Sequence, residues 1–168
     1  MERMAKFERV SLEQFQKDWE GAFGTIRGAK EAYDTVQLPR RATAGSAGYD
    51  FFAPKTFTLA PGESIWMPTG LRVRMKEGYV LACFPRSGFG FRYRLQLDNT
   101  VGIIDQDYYG SENEGHIQAK LTNDSKDGQS LTIPAGTAFM QGVFLPFGVT
   151  EDDNATAKRT GGFGSTTR

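Results

Sequence analysis

The sequence predicts an all-β, jelly-roll-like subunit, a β-barrel or sandwich, with a short N-terminal helix and a flexible C-terminal lid. Three observations predict it. Glycine occurs 20 times in 168 residues, well above the usual ~7%, and it falls at turn-like positions. Four short strand candidates follow one another closely: Phe57–Leu59, Ser64–Pro68, Leu71–Met75 and Tyr79–Phe84. Pro61-Gly62, Thr69-Gly70 and Glu77-Gly78 separate them, the even spacing of a sandwich or jelly roll. The length is that of one domain with a real core.

Ser11 followed by Gln14 has the form of a capping box, and Val10 and Phe15 are placed as a hydrophobic staple around it. Leu12, Phe15 and Trp19 share one helical face, and Gly21 can end a helix of about ten residues. An apolar face of this kind docks on the domain, the alternative being a partner-binding helix. Thr25 to Asp34 shows only a weak pattern and reads as loop. Residues 1–35 form an N-terminal helical extension on this division, 36–150 a β domain and 151–168 a Gly-rich tail.

Within the β domain, Val36–Pro39 and Asp50–Pro54 read as strands on either side of a Gly-containing turn whose spacing does not fit a dinucleotide-binding fingerprint. Thr100 to Ile104, β-branched around Gly102 and flanked by polar residues, reads as a β-hairpin. His116–Thr122, Leu131–Pro134 and Thr137–Pro146 complete the strands.

Lys plus Arg equals Asp plus Glu at 20 each, so the chain has no global basic field for a nucleic-acid backbone. A free nucleotide fits better than a polymer. The single cysteine, Cys83, lies in an apolar run as a small buried thiol, and one cysteine allows no internal disulfide. No stretch approaches 18 apolar residues, and the first residues do not read as a signal peptide. The expectation is a soluble cytoplasmic protein without a membrane partner.

The hairpin can present backbone N–H and C=O groups and the amide of Asn99 to a flat heterocycle, with the Asp105 carboxylate at its base to accept a proton from water; the alternative is an ordinary hairpin with solvated acids. Pro85-Arg86-Ser87-Gly88-Phe89-Gly90 offers a hydroxyl and Gly-exposed N–H groups, a nest for an anion with Arg86 supplying charge, or else a plain turn. Asp50 by itself reads as a turn residue satisfying nearby N–H groups. Gln141 is either a phosphate contact or a satisfied polar residue at a strand edge. In the tail, Phe163 among glycines can cover a base, Arg159 can clamp a phosphate as a planar fork, and Ser165 and Thr166 can add hydroxyl donors. His116, without Cys partners, does not make a zinc site; it packs or hydrogen-bonds within the sheet.

Five stretches, in order, resemble the motifs of the trimeric dUTPases: Ala47-Gly48-Tyr49-Asp50, Pro85-Arg86-Ser87-Gly88, Asp98 to Gly110, Gly136 to Gln141, and Arg159 to Thr166. The resemblance implies hydrolysis of dUTP to dUMP and pyrophosphate, which limits uracil incorporation into DNA and supplies dUMP for thymidylate synthesis. It implies Asp105 as catalytic base and a uracil site built from Asn99 and the backbone of Gly102 and Ile104, with Tyr108 under the deoxyribose. It also implies Arg86, Ser87, Gly88 and Gln141 on the phosphates, and Arg159, Phe163, Gly164, Ser165 and Thr166 in a lid. Mg²⁺ is the implied cofactor, with Asp50 acting on it through metal-bound water, and a homotrimer with active sites shared between subunits is the implied assembly.

The chain departs from the family pattern in several places. Thr137-Ala138 stands where Asp-Arg is usual, Phe89-Gly90 where Leu-Ala is frequent, Thr167 where the last motif usually has Gly, and Ser111–Gly115 is an insertion of a few residues. Two other readings remain in view. The dCTP deaminases share the fold but rely on a catalytic Glu beside the base, which the Asp105-Gln106-Asp107-Tyr108 run does not favour. A regulatory protein partner is the other, for which the N-terminal helix or the insertion would be the contact.

Overall fold

The computed structural model describes residues 2–161. Two antiparallel sheets face each other. The first has the order β1-β5-β9-β7, with β1 Ala5–Arg9, β5 Ser64–Met75, β9 Ile117–Asn123 and β7 Leu95–Leu97. The second has the order β2-β3-β11-β6-β8, with β2 Arg40–Arg41, β3 Tyr49–Phe52, β11 Ala138–Pro146, β6 Tyr79–Pro85 and β8 Gly102–Ile104. β4 Phe57–Leu59 and β10 Leu131–Ile133 form a short separate pair. Alternation along the strands places Phe51, Met67, Leu81, Ile117, Leu121 and Phe139 between the sheets, each almost fully buried. This is the predicted all-β sandwich, and no closed barrel is formed among the described residues.

The N-terminal segment is more than a helix. β1 pairs along β5, with Ala5 opposite Met75 and Arg9 opposite Leu71, a strand the mixed polar pattern of residues 5–9 does not announce. Helix α1, Leu12–Phe23, starts as predicted: Ser11 is its N-cap and its side chain accepts the Gln14 N–H. Gly21 does not end it. The stop is Gly24, at φ 68°, whose N–H returns to the Glu20 carbonyl. Helix α2, Ala29–Asp34, occupies the stretch expected to be loop. Tertiary packing supplies its stability, since Ala29 and Ala32 join Val10, Phe15 and Trp19 in a second apolar cluster under α1. Burying rings such as Phe15 and Trp19 stabilises this docking by about 1.5–3 kcal/mol each.

Three further expectations are corrected. Val36–Pro39 is irregular, the pairing beginning only at Arg40. Thr69-Gly70 is no turn between two strands; it is an irregularity inside the single strand β5, where the register against β9 shifts between Pro68 and Leu71. Gly70, at φ 75°, has no room for a side chain there, because a Cβ would stand 2.8 Å from Val36 and 3.3 Å from Phe15. Finally, the Asp98–Val101 turn does not close a hairpin. β7 before it pairs with β9, and β8 after it pairs with β6. The turn therefore carries the chain from one sheet to the other, held by Thr100 N–H to Leu97 O at 2.8 Å, with Thr100 itself at φ 67°.

Candidate active site

The predicted site residues fall into two groups. The first is assembled on the five-stranded sheet. Gln141 of β11 lies opposite both Asp50 of β3 and Phe84 of β6, and Met140 lies opposite Pro85. This register brings Asp50, Gln141 and Arg86 to the same end of three adjacent strands. Arg86 Nε stands 3.5 Å from Asp50 Oδ1, so the guanidinium expected on a phosphate is paired here with the carboxylate expected near a metal. Gly48 leaves the space occupied by the Gln141 side chain; a Cβ at 48 would collide with its amide oxygen.

Pro85 to Gly90 is not a turn-built nest. Ser87 opens a seven-residue helix, α3, Ser87–Tyr93, with Arg86 as an extended N-cap residue. Ser87 and Gly88 are both exposed at its first turn. The chemical consequence resembles that of a nest, because free N–H groups and the helix dipole face outward at this point.

The second group surrounds the sheet-crossing turn. Asn99, Gly102 and Ile104 line a cavity of about 350 Å³ whose other walls include Cys83, Leu97, Ala119 and Met140. A mainly apolar slot with two amide side chains, Asn99 and Gln118, and strand backbone suits a flat base. Gly102 sits close over Cys83: a Cβ there would be 3.2 Å from the Cys83 Cβ. Burial pushes the Cys83 thiol up to about 12, so it serves as an inert wall. Asp98 is anchored by Lys120 at 2.9 Å and by the Thr122 hydroxyl. Burial alone would raise its carboxyl, but these hydrogen bonds hold it below the ordinary value.

Asp105 leaves β8 exposed and precedes a 3₁₀ turn, Gln106–Gly110. That turn buries Tyr108, at 4% exposure, and carries Asp107 outward. Arg159 from the tail reaches both acids. It donates to Asp105, and its Nε lies 2.9 Å from Asp107 Oδ1, with the guanidinium carbon 5.7 Å from the Tyr108 ring centre. Glu112 N–H to Thr160 O at 3.2 Å fixes the tail beside this contact. Phe163, Gly164, Ser165 and Thr166 lie outside the described residues.

Within one chain Asp105 and Ser87 lie toward opposite ends of β6: Ile104 pairs with Leu81 near its start, while Ser87 follows its last residue, Pro85. Sequence order gives no hint of this separation. Nor does it signal Asn113 and His116, whose contacts to Tyr108 come from the inserted loop and its exit. His116 is fully buried; it bonds the Gly70 N–H at 2.8 Å and Asp18 of α1 rather than acting within the sheet alone.

Among the described residues no three His, Cys, Asp or Glu side chains come together to hold a metal. Asp50, partly buried and beside Arg86, offers a single carboxylate. Such a donor fits Mg²⁺ only in the way Mg²⁺ is commonly held, by substrate phosphates and water with one or two protein carboxylates. No helix among the described residues is long and apolar enough to cross a membrane.

A two-sheet β subunit with a mainly apolar slot, an exposed carboxylate at its edge and an exposed helix start has the chemistry of a nucleotide-handling protein. A family model described as dUTPase matches residues 34–167. The deoxyuridine 5'-triphosphate nucleotidohydrolase of Lactococcus lactis subsp. lactis (strain IL1403) is 43% identical over 134 residues, 78% of this chain and 88% of that protein. The crystal structure of the dUTPase from Streptococcus mutans superposes with a TM-score of 0.63 at 33% identity, over 86% of this chain and 98% of that one. A mutant dUTPase from phage phi11 of S. aureus, solved with a structural Mg(II) ion, shares the fold at a TM-score of 0.63 and 19% identity, over 92% and 98%. The chain belongs to the dUTPase family.

Proposed function

We propose that this chain hydrolyses dUTP to dUMP and pyrophosphate, with Asp105 as the general base. The observation that carries the assignment of Asp105 is its place: an exposed carboxylate one residue beyond Ile104, which lines the base cavity. Uracil enters that cavity and is read by Asn99 and by the backbone at Gly102 and Ile104. Cytosine presents the opposite donors and acceptors and leaves buried polar groups unpaired, a strong basis for rejection. A 5-methyl group collides near Gly102. Tyr108 forms the floor under the deoxyribose and excludes a 2'-hydroxyl.

Asp105 takes the proton of the water that attacks the α-phosphorus, in line with the leaving pyrophosphate. Arg86, Ser87, Gly88 and Gln141 hold the phosphate chain, and Arg159, Phe163, Gly164, Ser165 and Thr166 close over it. Positioning and electrostatics of this kind carry most of the catalysis of phosphoryl transfer. Asp50 would hold Mg²⁺ through water, and the ion would supply charge neutralisation at the phosphates.

The enzyme acts as a cytoplasmic homotrimer. Asp105 leaves the sheet beside the start of β6 and Ser87 follows its end, so the base and the phosphate contacts of one chain face opposite ends of that strand. Phosphate contacts from one subunit completing the base site of another account for both groups. Phe91 on the helix that Ser87 opens and Ile103 beside the base slot are 90% and 55% exposed, apolar surface of the sort that subunit contacts cover. In this scheme residues 36–150 are the catalytic β domain, 1–35 its extension and 151–168 its lid.

Pyrophosphate release measured with Mg²⁺ and dUTP, dTTP, dCTP and UTP offered separately tests the reaction. Release from dUTP alone is expected. Release of ammonia from dCTP would instead support the deaminase relatives. Asp105→Asn is expected to lower turnover about 10²-fold or more, and near-normal turnover by that variant would remove Asp105 from the mechanism.

A further inference from the structure

Tyr108 is held from behind by groups outside the five motif stretches. Its phenol donates to the His116 carbonyl at 2.8 Å and accepts from Asn113 Nδ2, also at 2.8 Å. Asn113 is itself fixed: its Oδ1 accepts the Gly115 N–H at 3.2 Å, and its carbonyl accepts the His116 N–H at 3.0 Å. The loop fits this tightly because position 115 is glycine. At φ 70°, a Cβ there would stand 2.7 Å from both Tyr108 O and Tyr109 Cα. The loop is tied in turn to α1, through Glu114, which accepts from Ser11 N at 2.7 Å and Ser11 Oγ at 2.6 Å, and through the His116–Asp18 contact.

A phenol gripped as donor and acceptor at its far end has that end pinned, while Arg159 stands over the ring face. We propose that Asn113 is a positioning residue for Tyr108, and that the Ser111–Gly115 loop thereby sets how strictly the site distinguishes deoxyribose from ribose. The inference rests on Tyr108 being the floor under the sugar. Asn113 touches no substrate; it acts through the ring. Each residue type in the loop suits that role. An amide gives and accepts at once, a glycine stands where backbone passes within contact distance, and an acid fastens the loop to the N-cap of α1.

The test compares kcat and KM for dUTP and UTP in Asn113→Ala, Asn113→Asp, Tyr108→Phe, Tyr108→Ala and the Asn113→Ala/Tyr108→Phe double variant. N113D keeps an acceptor for the Gly115 N–H and gives the Tyr108 phenol a carboxylate to donate to, so it preserves a bond to the ring that N113A removes. Asn113→Ala is expected to lower the dUTP-over-UTP preference in kcat/KM about fivefold, the scale of one neutral hydrogen bond, and Asn113→Asp to keep most of it. In the Tyr108→Phe background, Asn113→Ala should change that preference no further. If Y108A relaxes the preference and both Asn113 variants leave it intact, the positioning role is overturned while the sugar floor stands. If Y108A itself leaves the preference unchanged, the sugar floor falls, and NMR relaxation of a labelled Tyr108 ring decides the brace separately. A ring loosened by N113A upholds it, and an unchanged ring overturns it.

Discussion

Gly115 concentrates a steric demand at one atom. Any Cβ at φ 70° would press on two backbone atoms of residues 108 and 109 that cannot rotate aside. Gly115→Ala is therefore expected to destabilise the fold by about 2 kcal/mol or more, read as a lower urea midpoint with an unchanged slope. At this scale the proximity of some candidate residues was legible: Asn99, Gly102 and Ile104 line one cavity, with Asp105 next in the chain. Partners across the chain were not. The Arg86–Asp50 pair, the Asn113–Tyr108 bond and the His116–Asp18 contact join residues whose proximity arises from register and from loop closure, neither of which a local pattern encodes.

Helix α1 shows what local chemistry can and cannot specify. Its start was readable from Ser11, and Ser11→Ala is expected to cost about 1 kcal/mol in thermal or chemical denaturation. Its docking depends on two carboxylates from opposite directions. Burial acts to raise both Asp18 and Glu114, but hydrogen bonds, from His116 and Gln14 to the first and from Ser11 to the second, hold each below its ordinary value. A depressed carboxyl stabilises the fold in full above its ordinary value, and that stability is lost as pH falls through the lowered one. A melting series below about pH 4 should show the loss, and Asp18→Ala should flatten that acid-side slope. α2, β1 and the sheet-crossing turn escaped sequence patterns for a common reason. Each is stabilised by what it packs or pairs with rather than by its own propensity.

At the level of the whole molecule, the sandwich was legible from glycine-punctuated strand spacing, but the division of the site into two distant groups was not. Sedimentation of the purified protein should give three times the chain mass of 18.6 kDa; a monomer that still releases pyrophosphate would require both groups to meet within one chain. The tail adds a constraint of a different kind. Arg159 bridges Asp105 and Asp107. In the proposed mechanism, the cation that is to grip a phosphate thus has incumbent anionic partners, one of them the proposed base. On that proposal, nucleotide binding is an exchange of counterions at a single guanidinium, in which the departure of Arg159 from Asp105 would also free that carboxylate to accept a proton. Because charge is swapped rather than newly neutralised, added salt should weaken nucleotide binding less steeply than the triphosphate's own charge would suggest.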